Sequence, residues 1–185
     1  MSRIGKQPVV VPAGVKVDIA GKQISVEGPL GKLQWTFPED LSIRHDTDAK
    51  QVVVSRSGDE RQARALHGLG RALVQNMVEG VTKGYEKNLQ VVGTGWSAAV
   101  TGKQLKLVVG FANPILLNIP EGLTVAVDKA QGDTTPIKIT GTDRQLVGQF
   151  ASAVRQQRKP EPYNGKGIKF AEEVIKRKQG KQFGA

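Results

Sequence analysis

The chain contains two copies of one sequence pattern, and this repeat restricts its possible folds more than any other feature. Residues 20–26, AGKQISV, recur as residues 101–107, TGKQLKL. Residues 38–41, PEDL, recur in the same order as residues 120–123, PEGL. Ordered matches at a nearly constant offset indicate a duplicated unit of about 80 residues, a size that can fold independently. The sequence therefore predicts two small domains of similar structure.

Each copy shows the pattern of short strands followed by one helix. Apolar and polar residues alternate over residues 15–19, which is typical of a half-buried strand. Gly21-Lys22 and Gly102-Lys103 separate paired apolar runs, where hairpin turns are expected. We therefore predict an α+β fold of two duplicated domains, 1–82 and 83–185, each an antiparallel sheet packed against one helix.

The helices are predicted from the spacing of apolar residues. The stripe of the first copy, which indicates a helix at about residues 60–79, consists of Leu66, Leu69, Leu73 and Met77. His67 lies on the same helix, where we expect it to be solvated or to pack against neighbours. The stripe of the second copy, which follows Asp143 and ends before Pro160, consists of Leu146, Val147, Phe150 and Val154.

The composition argues against most catalytic and metal chemistry. The chain has no cysteine, which excludes disulfides and thiolate metal sites, and its two histidines leave little for another kind of metal site. Neither a phosphate-binding Gly-x-x-x-x-Gly-Lys-Ser/Thr loop nor a Gly-x-Ser-x-Gly elbow occurs. No signal peptide and no apolar stretch long enough for a membrane span is visible. We expect a cytoplasmic protein without cofactor, metal or membrane partner, and an enzyme is the weak hypothesis.

Positive charge is concentrated at the end of the chain. There are 27 Lys and Arg residues against 17 Asp and Glu, and residues 155–185 hold nine basic and three acidic residues. Within this tail, residues 158–170, RKPEPYNGKGIKF, combine stiffening prolines, permissive glycines, cations and aromatic rings. This combination suits a partner that presents phosphates and bases. Structured RNA is favoured over DNA because no motif for reading a DNA groove is present.

Two other interpretations of the tail remain open. It could be a disordered basic extension that only adds solubility, although its apolar residues argue that it folds back onto the domain. Those apolar residues are Ile168, Phe170, Val174 and Ile175. The chain could also be a general architectural binder, which would have comparable affinity for any duplex or single strand.

The whole chain resembles bacterial ribosomal protein six of the large subunit. The residues that carry the resemblance include RALHGL at 64–69, NMVEGV at 76–81, LVGQ at 146–149 and the segment 158–170. The resemblance implies two similar α+β domains and a structural, non-catalytic role in the cytoplasmic ribosome. It implies binding to 23S ribosomal RNA, mainly through the second domain, near the sarcin–ricin region and the translation-factor site. Neighbouring large-subunit proteins, and translation factors in proximity, are the other implied partners.

The resemblance also assigns the RNA contacts to particular residues of the tail. The implied RNA-binding residues are Arg155, Arg158, Lys159, Tyr163, Gly165, Lys166, Gly167, Lys169, Lys176, Arg177 and Lys178. The basic side chains would neutralise phosphates, and the two glycines would let the backbone lie close to the RNA. Tyr163 would stack on a base or anchor the turn. The first domain, closer to neutral, would be freer to face solvent or neighbouring proteins.

Overall fold

The computed structural model describes residues 3–47 and 49–180, and it divides the chain into two compact units. The first unit contains the chain up to Tyr85 together with Thr142–Arg144. The second contains Glu86–Gly141 together with the chain from Gln145 onward. Strands and one long helix occur in each copy of the repeat, which confirms the α+β class and the duplication. The domain ranges 1–82 and 83–185 stay a proposal.

The first copy folds into two three-stranded sheets and a helix. Its elements are β1 (Val9–Val10), β2 (Lys16–Ala20), β3 (Gln23–Gly28), β4 (Gly31–Thr36), β5 (Leu41–Asp46), β6 (Gln51–Arg56) and α1 (Arg61–Thr82). One sheet has the order β1-β6-β5 and the other the order β2-β3-β4, and all neighbouring strands are antiparallel.

The second copy repeats this arrangement and adds one strand. Its elements are β7 (Tyr85–Val92), β8 (Ser97–Thr101), β9 (Gln104–Val108), β10 (Ile115–Asn118), β11 (Leu123–Val127), β12 (Thr134–Gly141), α2 (Arg144–Gln157) and β13 (Gly167–Phe170). The sheet β10-β9-β8 corresponds to β4-β3-β2, and β11-β12-β7 corresponds to β5-β6-β1. Strand β13 lies beyond β7 and has no counterpart among the described strands of the first copy. The basic tail therefore contributes a strand to the fold.

The two predicted hairpins are present and have the same turn. Ala20 pairs with Gln23, and Thr101 pairs with Gln104, so each loop contains two residues. The first loop residue is a glycine with positive φ in both cases, +61° for Gly21 and +59° for Gly102. A glycine at the first position of a two-residue loop is typical of the type II′ turn, which matches the twist of the strands it joins.

Helix α1 confirms the predicted helix, but only part of the predicted apolar stripe is buried. Its buried residues follow helical spacing and are Ala63, His67, Gly70, Val74, Met77, Val78, Gly80 and Val81. Leu69, which was predicted to lie on the buried stripe, is 52% exposed. Leu69 is exposed because the neighbouring Gly70 faces the sheet instead. The helix packs closely there, since a Cβ atom on Gly70 would lie 3.0 Å from Leu41 and 3.1 Å from the Phe37 ring. Small residues let the helix approach the sheet, and leucine spacing alone does not show this.

Helix α2 agrees more closely with its prediction. Val147, Phe150, Ala151 and Val154 are buried. The helix begins directly after Asp143 and ends at Gln157, before Pro160, which cannot continue it. Among the described residues, neither helix is both long and apolar enough to cross a membrane.

Candidate nucleic-acid interface

The basic tail is held in the second unit by strand β13. Gly167 to Phe170 pair antiparallel with β7, and Ile168, opposite Val91, is completely buried. The backbone NH of Ala171 also donates to the carbonyl of Asn88 at 2.9 Å. A side chain that is fully removed from water stabilises the fold by roughly 1.5–3 kcal/mol. For the part of the tail that ends with β13, the interpretation as a disordered extension is therefore wrong.

Between α2 and β13 the chain forms a tight turn with its own hydrogen bonds. The NH of Glu161 donates to the carbonyl of Lys166 at 2.8 Å, and the NH of Gly165 donates to the carbonyl of Glu161 at 3.0 Å. The NH of Ile168 donates to the carbonyl of Arg158 at 2.8 Å. These bonds fix the backbone conformation of the turn, and so they fix the positions from which its side chains extend.

The two glycines of the turn are buried by contacts within the chain. Gly167 has a φ of +148°, and a Cβ there would lie 2.4 Å from Cα of Pro160. Gly165 has a φ of +75°, and a Cβ there would lie 3.2 Å from Nε of Arg177. We expected both glycines to let the backbone lie close to RNA. In the structure both glycines are buried against the protein itself, and their contact with RNA stays a prediction.

The chain after β13 returns to the turn. The NH of Lys178 donates to the carbonyl of Pro162 at 2.8 Å, which places residues 176–178 beside the turn. Ile175 is half-buried, but Val174 is 88% exposed and does not fold back as predicted. Lys181, the ninth basic residue of the tail, lies outside the described residues.

Arg155 is paired within the protein. Its Nε donates to Oε2 of Glu173 at 2.8 Å, a second bond joins Nη2 to Oε1, and its guanidinium lies 5.9 Å from the centroid of the Phe170 ring. The hydrogen bond from Arg155 is the main reason that the pKa of Glu173 is lowered, and the Phe170 NH at 3.2 Å contributes. Although we expected Arg155 to bind phosphate, its charge is already balanced by Glu173.

The remaining cations form an exposed set around the turn. We call this set the basic face, and it consists of Arg158, Lys159, Lys166, Lys176, Arg177 and Lys178, all exposed. Within the part of the chain that the structure describes, no carboxylate lies within 4.0 Å of their charged atoms. Lys169 is half-buried and acts electrostatically on Glu173, whereas Tyr163 is 53% exposed. Unpaired, exposed cations of this kind are available to phosphates.

Two aromatic rings adjoin the basic face, and neither was predicted to belong to it. The guanidinium of Arg158 lies 4.8 Å from the centroid of the Phe111 ring and 5.7 Å from that of Trp96. Phe111 follows β9 in a loop and is 46% exposed, whereas Trp96 is half-buried. The sequence signal for both rings is an aromatic residue directly after a glycine, at Gly95-Trp96 and at Gly110-Phe111.

The described residues contain no group of three or more His, Cys, Asp or Glu side chains that could hold a metal ion. The more buried of the two histidines, His67, is 5% exposed and its Nε2 lies 2.8 Å from the carbonyl oxygen of Val54. It is thus a packing residue, one of the two roles that we expected. Fold and surface together define a class: a duplicated α+β protein whose second unit carries a group of exposed cations around one turn.

Comparisons with known proteins identify the family within this class. The sequence model of the family described as ribosomal protein L6 matches residues 11–84 and 92–171, one match in each copy of the repeat. The chain therefore belongs to the ribosomal protein L6 family, which confirms the resemblance seen in the sequence. As a member it is a structural protein of the ribosome and not an enzyme.

Similar proteins match the chain over nearly its whole length. The large ribosomal subunit protein uL6 of Rhodopirellula baltica is 50% identical over 181 residues, which cover 98% of each chain. The protein of the same name from Dictyoglomus thermophilum is 51% identical over 182 residues, again 98% of each chain. That of Syntrophomonas wolfei is 48% identical over 184 residues, covering 100% of this chain and 99% of its own.

Proposed function

We propose that this structural constituent of the large ribosomal subunit binds 23S ribosomal RNA mainly through the basic face of its second unit. Family membership makes the chain a ribosomal protein that associates with ribosomal RNA and other ribosomal proteins. The observation that carries the finer proposal is the basic face itself, six exposed cations around a turn fixed by β13, with no salt bridge to any described carboxylate.

The physical reason is the polyelectrolyte nature of RNA. Cations that reach phosphates release condensed counterions, and this release favours binding without any reading of sequence. A turn with internal hydrogen bonds holds the backbone that carries the cations in place before binding, so less backbone conformational entropy is lost on association. From the candidate residues we therefore assign phosphate contact to the basic face and Lys169, and base or sugar contact to Tyr163. Arg155, Gly165 and Gly167 are assigned to support the turn.

We further propose that the bound region lies near the sarcin–ricin region of the RNA, beside the translation-factor site. Family resemblance is the support for this placement. The first unit, with Lys and Arg residues nearly balanced by acids, would then face solvent or neighbouring ribosomal proteins. Protection of the RNA from chemical probes by the full chain would locate the contact. Protection confined to RNA helices outside the sarcin–ricin region would contradict the placement.

The proposal is tested by removing charge from the full-length chain. Truncation of the tail is unsuitable, because it would also remove β13 and its buried Ile168. We expect the double variant Lys166→Ala, Lys169→Ala to bind 23S ribosomal RNA more weakly and to lower the salt dependence by about two units of slope. Affinity is measured at several salt concentrations with excess unrelated structured RNA as competitor.

A matched control comes from the first unit. Lys16 and Lys32 are exposed residues of β2 and β4, and their substitution by alanine removes the same charge. We expect this control variant to keep the slope of the unmodified protein. Equal slopes for both double variants would contradict the assigned face. Displacement of the unmodified protein by the competitor would indicate general rather than ribosomal binding.

A further inference from the structure

At Arg158 the basic face adjoins the aromatic ring of Phe111, which gives this part of the surface a different chemistry. The Phe111 ring is large, 46% exposed and in contact with a cation 4.8 Å from its centroid. An exposed aromatic ring presents a flat apolar face on which a planar partner can stack. The ring is therefore a candidate contact for a ligand that is both flat and attracted to positive charge.

Trp96 supports this pair from within the unit. Its indole is packed against backbone, because a Cβ on Gly93 would lie 2.5 Å from Cδ2 and one on Gly110 would lie 3.0 Å from Cζ2. Gly110 has a φ of +77°, so the chain turns sharply just before Phe111. The guanidinium of Arg158 lies 5.7 Å from the indole centroid. Arg158 thus contacts two rings from different loops, which restricts its orientation.

We propose that Phe111 and Arg158 form a stacking platform for an unpaired nucleobase of the bound RNA, with Trp96 as a positioning residue. Unpaired bases stack on aromatic rings and on the plane of an arginine guanidinium. A base supplies the flat apolar surface that covers the ring, and its phosphate meets the adjoining Lys159, which is exposed. The inference rests on the proposed function, since it adds a base contact to a surface that otherwise binds phosphates.

Stacking and phosphate contact respond differently to salt, and this difference makes the proposal testable. Loss of a phosphate contact lowers the salt slope, whereas loss of a stacked base lowers affinity at every salt concentration. The experiment uses the full-length chain and 23S ribosomal RNA. Phe111→Leu removes the aromatic face but keeps an apolar side chain, and Phe111→Tyr keeps the face.

We expect Phe111→Leu to weaken binding about 5- to 150-fold, the range for one stacked base, with an unchanged salt slope. Phe111→Tyr is expected to remain within about twofold of the unmodified protein. Arg158→Lys keeps the positive charge but loses the planar guanidinium, so it should also weaken binding while the salt slope stays unchanged. The control Leu116→Ala changes another exposed apolar residue of the same unit, 55% exposed, and should have no effect.

Unchanged affinity of Phe111→Leu would overturn the platform, and so would a Phe111→Tyr variant as weak as Phe111→Leu. A lowered salt slope for Phe111→Leu would also overturn it, since the ring would then act only by placing the Arg158 charge. Thermal unfolding of each variant is measured to check that the fold is retained. If the unmodified protein itself does not prefer 23S ribosomal RNA over the competitor, the proposed function fails rather than the platform alone.

Discussion

At the scale of single residues, the same residue type has different roles that depend on its surroundings. Arg155 and Arg158 lie three positions apart, yet Arg155 is bound to Glu173 and Arg158 is exposed beside two aromatic rings. Charge counted along the sequence treats both as equal. Only the first has its charge balanced within the fold, so only the second is free for a partner.

Gly167 provides a prediction at this scale. A Cβ at this position would meet the backbone of Pro160 at 2.4 Å, and φ is +148°. We expect Gly167→Ala to lower the free energy of unfolding by roughly 2 kcal/mol or more. An alanine would be strained at this φ, and its Cβ would overlap the backbone of Pro160. Urea unfolding measures the change.

The control is Gly102→Ala, where φ is also positive at +59° but no atom lies within 4 Å of the added Cβ. It should show only the cost of the strained backbone, about 1–2 kcal/mol. Equal losses for the two variants would show that contact with Pro160 does not hold the turn.

At the scale of elements, β13 is what makes the tail part of the fold. It extends the sheet of β11, β12 and β7, and the segment that follows it returns to the turn through Lys178 and Pro162. The Arg155–Glu173 pair joins the last turn of α2 to the residues just after β13. The pair therefore ties the residues after β13 to helix α2, in addition to the backbone hydrogen bonds between β13 and β7.

The pair predicts a stability that depends on pH. The pKa of Glu173 is lowered in the folded protein, so the ionised form contributes stability above the ordinary value of 4.5. That contribution is lost as pH falls through the lowered pKa. We expect Glu173→Gln to reduce the free energy of unfolding at pH 7 by about 1–2 kcal/mol, and the difference from the unmodified protein to shrink below pH 4.5.

Urea unfolding at neutral and acidic pH checks this result. Glu172→Gln is the matched control, because Glu172 is the exposed neighbour of Glu173. A difference for Glu173→Gln that stays constant with pH would show that the carboxylate charge has no part in holding the segment.

At the scale of the whole molecule, the duplicated copies differ in charge and in one strand. The first copy has a nearly even balance of charge, whereas the second carries the basic tail and β13. Duplication therefore supplied two similar scaffolds, and the extension of one of them carries the basic face. We infer that binding strength resides mainly in the second copy.

The basic face predicts a steep response to salt. With about six phosphate contacts, the affinity of the unmodified protein for 23S ribosomal RNA should fall on the order of 10³-fold between 50 and 200 mM salt. Equilibrium binding at four or more salt concentrations measures the slope. A fall of less than tenfold would mean that most of the exposed cations do not reach phosphates.

The sequence by itself determined the features that depend on local pattern. The repeat, the glycine hairpins at Gly21 and Gly102, the two helices and the concentration of charge in the tail were all predicted, and the structure agrees with them. These features follow from periodicity, turn chemistry and composition, which are properties of neighbouring residues. The domain ranges and the RNA-binding assignments stay predictions.

Only the tertiary structure decided which residues meet across large separations in sequence. It paired Arg155 with Glu173, placed Phe111 and Trp96 beside Arg158, and buried Gly165 and Gly167. It also turned α1 so that Gly70, rather than Leu69, faces the sheet. The physical reason is that burial and charge pairing depend on side chains from different elements coming within a few ångströms, and local sequence pattern contains no measure of that distance.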